Sequence, residues 1–491
     1  MPLINGRVRV GLKQGGGSSD QGSATMQMGE NLSHGRSWPV LAASLFCLAL
    51  AGVAFFISSL AAPVQAAQDT VRGTHLGVAT CGGTTCHGRQ EADGKIVRQD
   101  ELMRWQEEST PGGAHSRAFR VLREPRSIAI AKRLGIKDAA TSQQCLGCHT
   151  TQAVKKGPRF QVSDGVGCES CHGASSGWLS AHYAVGSSHS RNVSLGLTPL
   201  DNPKVRASTC LDCHYGSAKS GQFVSHRIMA AGHPRISFEL DLFSTLQQHH
   251  DEDVDYIRRK GKTNNVRFWA VGQSMALERS LNLFSKPALA TEGIFPEFYF
   301  YDCHSCHRRI YDDASARPTS IDNPGRPIPE GMPPYNDENI IMLSAAIAVA
   351  APDLAGQFNT QSKAFHAAMA QGRGPAVEAA ARLRQTARAL ADRFSRANFG
   401  REQSFQIMET IAGQVISPRF TDYEGSVQAV MAIDTLLSGL VNSGQVSETA
   451  AASLRGQINV AYKAVAQPND YKPLKFRRAL GSAVRTMRAL R

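Results

Sequence analysis

The sequence predicts a mainly α-helical fold in two parts, with short helices and loops in the first part and an α-helical bundle in the second. Three observations favour this architecture. Ten of the eleven cysteines lie between Cys81 and Cys306, and they fall into short motifs that each end in histidine. Six prolines between Asp312 and Asn336 then exclude regular structure. Beyond them the chain has no cysteine and carries apolar residues at helical spacing.

The motifs share the pattern Cys-x-x-Cys-His. It occurs at Cys145–His149, Cys168–His172, Cys210–His214 and Cys303–His307, and a form with two further residues between its cysteines occurs at Cys81–His87. Two thiols at this spacing can add to the two vinyl groups on one edge of a porphyrin, and the imidazole that follows can bind the iron from one face. Given 11 cysteines and 16 histidines in 491 residues, chance would give on the order of 0.01 strict matches.

We therefore predict five covalently attached c-type haems. The cysteines that hold them are Cys81, Cys86, Cys145, Cys148, Cys168, Cys171, Cys210, Cys213, Cys303 and Cys306. The proximal iron ligands are His87, His149, His172, His214 and His307. A zinc knuckle, a thioredoxin-like pair, an iron–sulfur site or a disulfide would not need a histidine after every second cysteine. At the expanded site, the alternative is that Cys81 is a single unused thiol.

The first four motifs lie between Cys81 and His214, which allots about one haem to every 33 residues. This is too little chain to give each haem a separate pocket. We expect the haems to pack against one another and to form much of the core. Two helices are predicted beside them, at 125–134 and 265–283, and both are expected to serve packing.

Ten further histidines follow the export segment described below, which is enough to give every iron a second imidazole. His75 is one candidate for such a sixth ligand, and the family resemblance described below implies the others. Methionine is the competing ligand in cytochromes, with Met103 and Met229 nearest to motifs, but methionine is also a common apolar filler. We expect His304, inside its own motif, and the adjacent His249 and His250, beside an acidic run, to bind no iron.

Residues 1–67 predict an export signal or an N-terminal membrane anchor. An apolar run from Trp38 to Ala62 follows a polar segment and precedes a small-residue cleavage pattern ending at Ala66. The run is about as long as a bilayer span, so an uncleaved anchor is the alternative. Covalent haem attachment in bacteria takes place outside the cytoplasm, and both signals therefore predict a periplasmic protein, soluble or anchored to the inner membrane. The leftover Cys47 is expected to be an apolar filler.

We divide the mature chain into a pentahaem cytochrome domain at 68–313, a Pro-rich linker at 314–336 and an α-helical bundle at 337–491. The bundle is predicted to hold about five to seven helices. One is expected from Ile340 to Ala351 and another from Pro375 to before Gly400. Thr421 with Glu424 suggests a capping box ahead of a third, and Ser447 precedes a fourth. The basic final helix is expected to present a solvated face.

The order of these motifs, together with His115-Ser116-Arg117-Ala118-Phe119 and His182, resembles the cytochrome c-554 family over residues 74–239. This tetrahaem group is related in haem packing to octahaem hydroxylamine oxidoreductase and pentahaem nitrite reductase. The resemblance implies that His115 and His182 are distal ligands, with His226 or His233 in a third such role. It also implies a five-coordinate haem at Cys145–His149. The expanded first site, the fifth haem and the C-terminal bundle depart from the family pattern.

The formal charge is +13, and five haems with their propionates would lower it by about five units. The protein should remain basic, which suits an acidic redox partner or an anionic membrane surface; we see no nucleic-acid motif. We therefore expect an electron carrier between periplasmic or membrane redox partners, with no catalytic residue assigned. The alternative is an oxidoreductase acting on a small nitrogen or sulfur species at one open haem. A third hypothesis makes the bundle a docking or oligomerisation module.

Overall fold

The computed structural model describes residues 73–91, 98–235, 237–250, 252, 254–290, 295–307, 327, 332–416 and 422–491. The predicted export segment lies outside these residues, as does most of the predicted Pro-rich linker. The described residues are mainly helical and contain no β-strand, only isolated bridges between His75 and Lys156 and between Tyr301 and Tyr335. The predicted fold class is therefore confirmed.

The first part of the chain consists of short helices joined by loops. Thirteen α-helices lie between residues 78 and 290 of the described chain: α1 Val78–Cys81, α2 Glu101–Gln106, α3 Pro125–Leu134, α4 Gln143–His149, α5 Cys168–His172, α6 Leu179–His182, α7 His189–Ser194, α8 Pro203–His214, α9 His226–Ala230, α10 Leu240–Leu246, α11 Val254–Lys260, α12 Asn265–Phe284 and α13 Pro287–Ala290. A short 3-10 turn at Phe298–Phe300 precedes the fifth motif, which begins in a second such turn at Cys303–Ser305. Most of these elements are too short to form without tertiary contacts.

The second part is a bundle of longer helices. They are α14 Glu338–Ala350, α15 Pro352–Met369, α16 Arg373–Arg396, α17 Arg401–Val415, α18 Tyr423–Asn442, α19 Glu448–Ala464 and α20 Pro473–Leu490. Asp422 caps α18 by accepting a hydrogen bond from the Gly425 amide, in place of the predicted Thr421, which lies outside the described residues. Ser447 caps α19 through the Ala450 amide. In α20 the apolar face is buried, while Lys475, Arg478 and Arg485 are exposed.

Helix α12 joins the two parts through one core. Its side chains are buried on nearly every face, with Trp269, Leu281 and Phe284 fully buried. It packs on α8 and α10 of the first part and on α14, α16 and α18 of the bundle. The chain from residue 71 onward forms a single compact unit. The boundary predicted at 314–336 remains a prediction, but the described residues on both sides of it share this core.

Within the part of the chain that the structure describes, no helix has both the length and the apolar character needed to cross a bilayer.

Candidate haem-binding sites

Each of the five motif histidines faces a second histidine from a distant part of the chain. The ring-centroid distances are 6.1 Å for His87 with His182, 6.0 Å for His214 with His115, 6.3 Å for His149 with His233 and 6.2 Å for His307 with His226, while His172 lies 6.2 Å from both His249 and His250. The five motifs thus acquire the same arrangement although their local folds differ.

These distances fit one metal ion between two imidazoles. A transition metal binds an imidazole nitrogen at about 2 Å, and the ring centroid lies about 1.1 Å further away, so two opposed imidazoles place their centroids roughly 6.2 Å apart. The ring planes are free to rotate about this axis, which accommodates interplanar angles from 22° at His87 to 89° at His149. The ten motif cysteines are all free thiols. The residues present therefore fit five haems, each held by two cysteines and two histidines.

Hydrogen bonds orient several of these imidazoles. The Nδ1 atoms of His149, His233 and His249 lie 2.7, 2.8 and 2.8 Å from the carbonyl oxygens of Ala118, Pro234 and Gln247. A carbonyl can only accept, so each Nδ1 must carry the proton and donate it. The Nε2 lone pair is then free to bind iron, which is the arrangement that metal-binding histidines usually show.

Burial favours the neutral form of several paired imidazoles, which metal binding requires. His87 differs, because its hydrogen bond to the Glu101 carboxylate raises its pKa. Burial, with the nearby His249 and His250, lowers the pKa of His172 to about 3. Burial also lowers the pKa of His214 to about 4, where its ring packs against Phe238 and Phe243. Desolvation penalises the charged form of each ring. His172 and His214 are therefore neutral around neutral pH.

Helical geometry presents the motif side chains together. In α4, α5 and α8 the two cysteines are three residues apart, which places them on one side of the helix. The expanded motif instead forms a turn after α1, closed by a hydrogen bond from the His87 amide to the Cys81 carbonyl oxygen. A Cβ at Gly88 would lie 2.0 Å from the Gly82 carbonyl oxygen, so the turn needs a glycine at 88.

The first four sites adjoin one another in pairs. Site one is the Cys81–His87 motif and site three the Cys168–His172 motif; the Gly77 amide, just ahead of α1, donates a hydrogen bond to the Glu169 carboxylate at 2.8 Å, and α1 packs on α5. Gln222 links site two, at Cys145–His149, to site four, at Cys210–His214: its Nε2 donates a hydrogen bond to the Gly147 carbonyl oxygen at 3.1 Å and lies 3.7 Å from the Cys213 sulfur. Site one therefore lies beside site three, and site two beside site four.

The bundle holds the fifth site. The Tyr423 amide donates to the Asp302 carboxylate at 2.8 Å, and the Cys303 amide donates to the Glu424 carboxylate at 3.1 Å. Arg235 is the positive group beside these buried carboxylates, with its Nη1 3.6 Å from Glu424 Oε1 and 3.7 Å from the Cys303 sulfur. The N-terminus of α18 is thus part of the surroundings of the fifth motif.

The structure brings four of the five predicted sixth ligands, His115, His182, His226 and His233, opposite motif histidines. It does not do so for His75, whose buried ring lies edge-on to Phe160 at 6.4 Å and makes no ring contact with a histidine among the described residues. Strand-like pairing with Lys155 and Gly157 fixes the His75 backbone there. The structure therefore gives no geometric support to the prediction that His75 is a sixth iron ligand.

His249 and His250 differ from the sequence-based expectation, because both lie opposite His172. The acidic run after them suggested a solvated loop, and no local signal pointed to site three. His304 does lie away from the imidazole pairs: its Nδ1 is 3.0 Å from the Pro468 carbonyl oxygen and its ring packs on Tyr471.

Residues 80–173 match the family model described as cytochrome c554 and c-prime. The match covers the first three motifs and His115, and it confirms the resemblance drawn from the motif order. No curated protein and no solved structure matches the chain.

Proposed function

We propose that this c-type multihaem cytochrome, which resembles the cytochrome c554 family, binds five haems and carries single electrons between redox partners. The family match supports covalently bound haem c and a function in electron transport. The count of five rests on the five motifs, each of which has a second imidazole at 6.0–6.3 Å. This repeated spacing is the single observation that carries the proposal.

Two imidazoles on each iron favour electron transfer over substrate binding. Bound haem supplies one-electron chemistry at its iron, whose potential depends on the axial ligands, their hydrogen bonds and burial. The chain holds both ligands of each pair on separate elements of a packed core, so neither redox state needs a ligand to move. The carbonyl oxygens at Ala118, Pro234 and Gln247 keep three of these rings in a fixed orientation.

The contacts between sites support a continuous chain of haems. The hydrogen bonds of Glu169 and Gln222 link site one to site three and site two to site four, respectively. His226 and His233 lie on one segment that faces sites five and two, respectively. Tyr299, just ahead of site five, also donates a hydrogen bond to the carbonyl oxygen of Tyr215, next to His214. Electrons would therefore pass through sites held by shared elements.

The charge of the chain supports an acidic redox partner or an anionic membrane surface, because the protein stays basic after haem attachment. The exposed basic face of α20 would contribute to such docking. We place the protein in the periplasm, where c-type haems are attached, with residues 1–67 serving as signal or anchor. Association through the bundle, within a larger redox complex or between copies, is part of the same proposal.

Haem stoichiometry and spin state test the proposal. In the natively exported protein, the pyridine haemochrome assay and intact mass should give five haems per chain, and electron paramagnetic resonance should show only low-spin ferric iron. A colourless protein or fewer than five haems would refute the haem assignment. Five haems with a high-spin fraction near one in five, together with nitric oxide binding, would favour the enzyme alternative instead.

A further inference from the structure

One carboxylate lies between two of the imidazole pairs. Glu101 begins α2, and its side chain is only 7 % exposed. Its Oε2 atom lies 2.9 Å from Nδ1 of His87, the motif histidine of site one. Its Oε1 atom lies 3.4 Å from Nδ1 of His250, opposite the motif histidine of site three. Glu101 therefore contacts the imidazole groups of two different sites.

At site three, two histidines lie opposite the motif histidine His172. His249 and His250 lie at the same 6.2 Å from His172, with their own rings 4.3 Å apart. An iron already bound by a porphyrin and by His172 has room for only one further ligand. One of the two rings must therefore have another role.

The surroundings of the two rings distinguish them. His249 is the less exposed, and its hydrogen bond to the Gln247 carbonyl oxygen leaves Nε2 free to bind iron. The side chain of His250 is 45 % exposed, and its Nδ1 points to Glu101. The better-buried ring is the better ligand, because buried groups keep a fixed geometry and exclude competing water.

We propose that Glu101 is a positioning residue shared by two haem sites: it orients His87 at site one and contacts the exposed His250 at site three, where the better-buried His249 is the sixth ligand. The inference rests on the proposed function, since it needs haems at both sites. A carboxylate that accepts from Nδ1 makes an imidazole a stronger donor. Glu101 therefore stabilises the ferric state at site one and makes the reduction potential of that haem more negative.

The spin state of single variants tests the ligand assignment in the haem-loaded protein. His249→Ala should turn one haem in five high-spin, whereas His250→Ala should leave all five low-spin. A high-spin haem in His250→Ala would overturn the assignment, as would an unchanged spectrum in His249→Ala.

The potential of site one tests the positioning role. Glu101→Gln should shift one of the five midpoint potentials to a more positive value, and Glu101→Asp should restore part of the shift. The matched control is Glu107→Gln, because Glu107 is an exposed carboxylate that accepts hydrogen bonds from Ser109 and contacts no histidine among the described residues. Unchanged potentials in Glu101→Gln would overturn the role. Intact mass must give five haems in each variant, and a wild-type protein with fewer would refute the proposed function separately.

Discussion

The rings of His149 and His233 lie 6.3 Å apart with their planes perpendicular, and each ring donates its Nδ1 proton to a backbone carbonyl oxygen. The family resemblance implies an open iron at this site, yet the structure places the His233 imidazole opposite His149, where it would supply a second ligand. His233→Ala should therefore create the open site, because it removes the second ligand without disturbing the motif. We expect one haem in five to become high-spin and to bind nitric oxide, as measured by electron paramagnetic resonance.

The matched control is His304→Ala, which removes a histidine that packs on Tyr471 away from the imidazole pairs. It should leave all five haems low-spin. A His233→Ala spectrum identical to that of the wild type would remove His233 from the ligands of site two. A wild-type protein that already binds nitric oxide would favour the alternative, an oxidoreductase with one open haem.

The motif histidines can be predicted as ligands because haem attachment is local chemistry, in which five consecutive residues such as Cys145–His149 supply both thiols and one ligand. The histidines that lie opposite them were only partly predictable. His233 is 84 residues from His149 in the sequence, and their approach depends on how α3, α4 and the segment after α9 pack. His75 and His249 show why the second ligands are hard to predict. The His75 ring lies beside Phe160 and the His249 ring lies opposite His172, but no local sequence signal distinguishes the two histidines.

The positions of the helices could likewise be predicted from the sequence, whereas their packing could not. Periodicity predicts α12 to within one residue and places most of the bundle helices, because burial requires apolar residues at fixed spacing. It does not reveal that α12 packs on the bundle on one side and on helices of the first part on the other. Contacts between segments that are distant in the sequence leave no local pattern.

A second prediction concerns Arg235, the buried positive group beside site five. Its side chain is 14 % exposed, and that of Glu424 is 1 % exposed. Arg235→Gln would leave the buried Glu424 carboxylate without this positive partner. Removing one partner of a buried ion pair costs about 3–5 kcal/mol, so the free energy of unfolding should fall by that order. Denaturant titration measures the loss.

Arg393→Gln is the control for this change, because Arg393 pairs with Asp353 at an exposed position. Exposed pairs add little stability, and its unfolding midpoint should stay close to that of the wild type. If both variants unfold at the same denaturant concentration, Arg235 does not stabilise the surroundings of site five.

A third prediction concerns Gly147, inside the second motif. A Cβ at this position would lie 2.4 Å from the Gly221 carbonyl oxygen, on a backbone segment that cannot move aside like a side chain. Gly147→Ala should therefore displace α4 and its two thiols, and intact mass should show chains with four haems instead of five. Gly83→Ala is the control, since the nearest atom to its Cβ would be the Cys86 sulfur at 3.8 Å. Full haem loading in Gly147→Ala would contradict the close approach.

The last prediction asks whether the haem region and the bundle unfold together. Phe394 is fully buried in α16, the bundle helix that packs along α12. Phe394→Ala should lower the free energy of unfolding by about 3–5 kcal/mol, because it removes buried apolar surface and leaves a cavity. The loss should appear at the same denaturant concentration in the far-ultraviolet circular dichroism of the helices and in the Soret absorption of the haems, as expected for a cooperative unit.

The control is Val460→Ala, at a position 53 % exposed, which should shift neither signal. Two separate transitions, with only the helical signal displaced by Phe394→Ala, would instead make the bundle an independent domain and support the boundary predicted at 314–336.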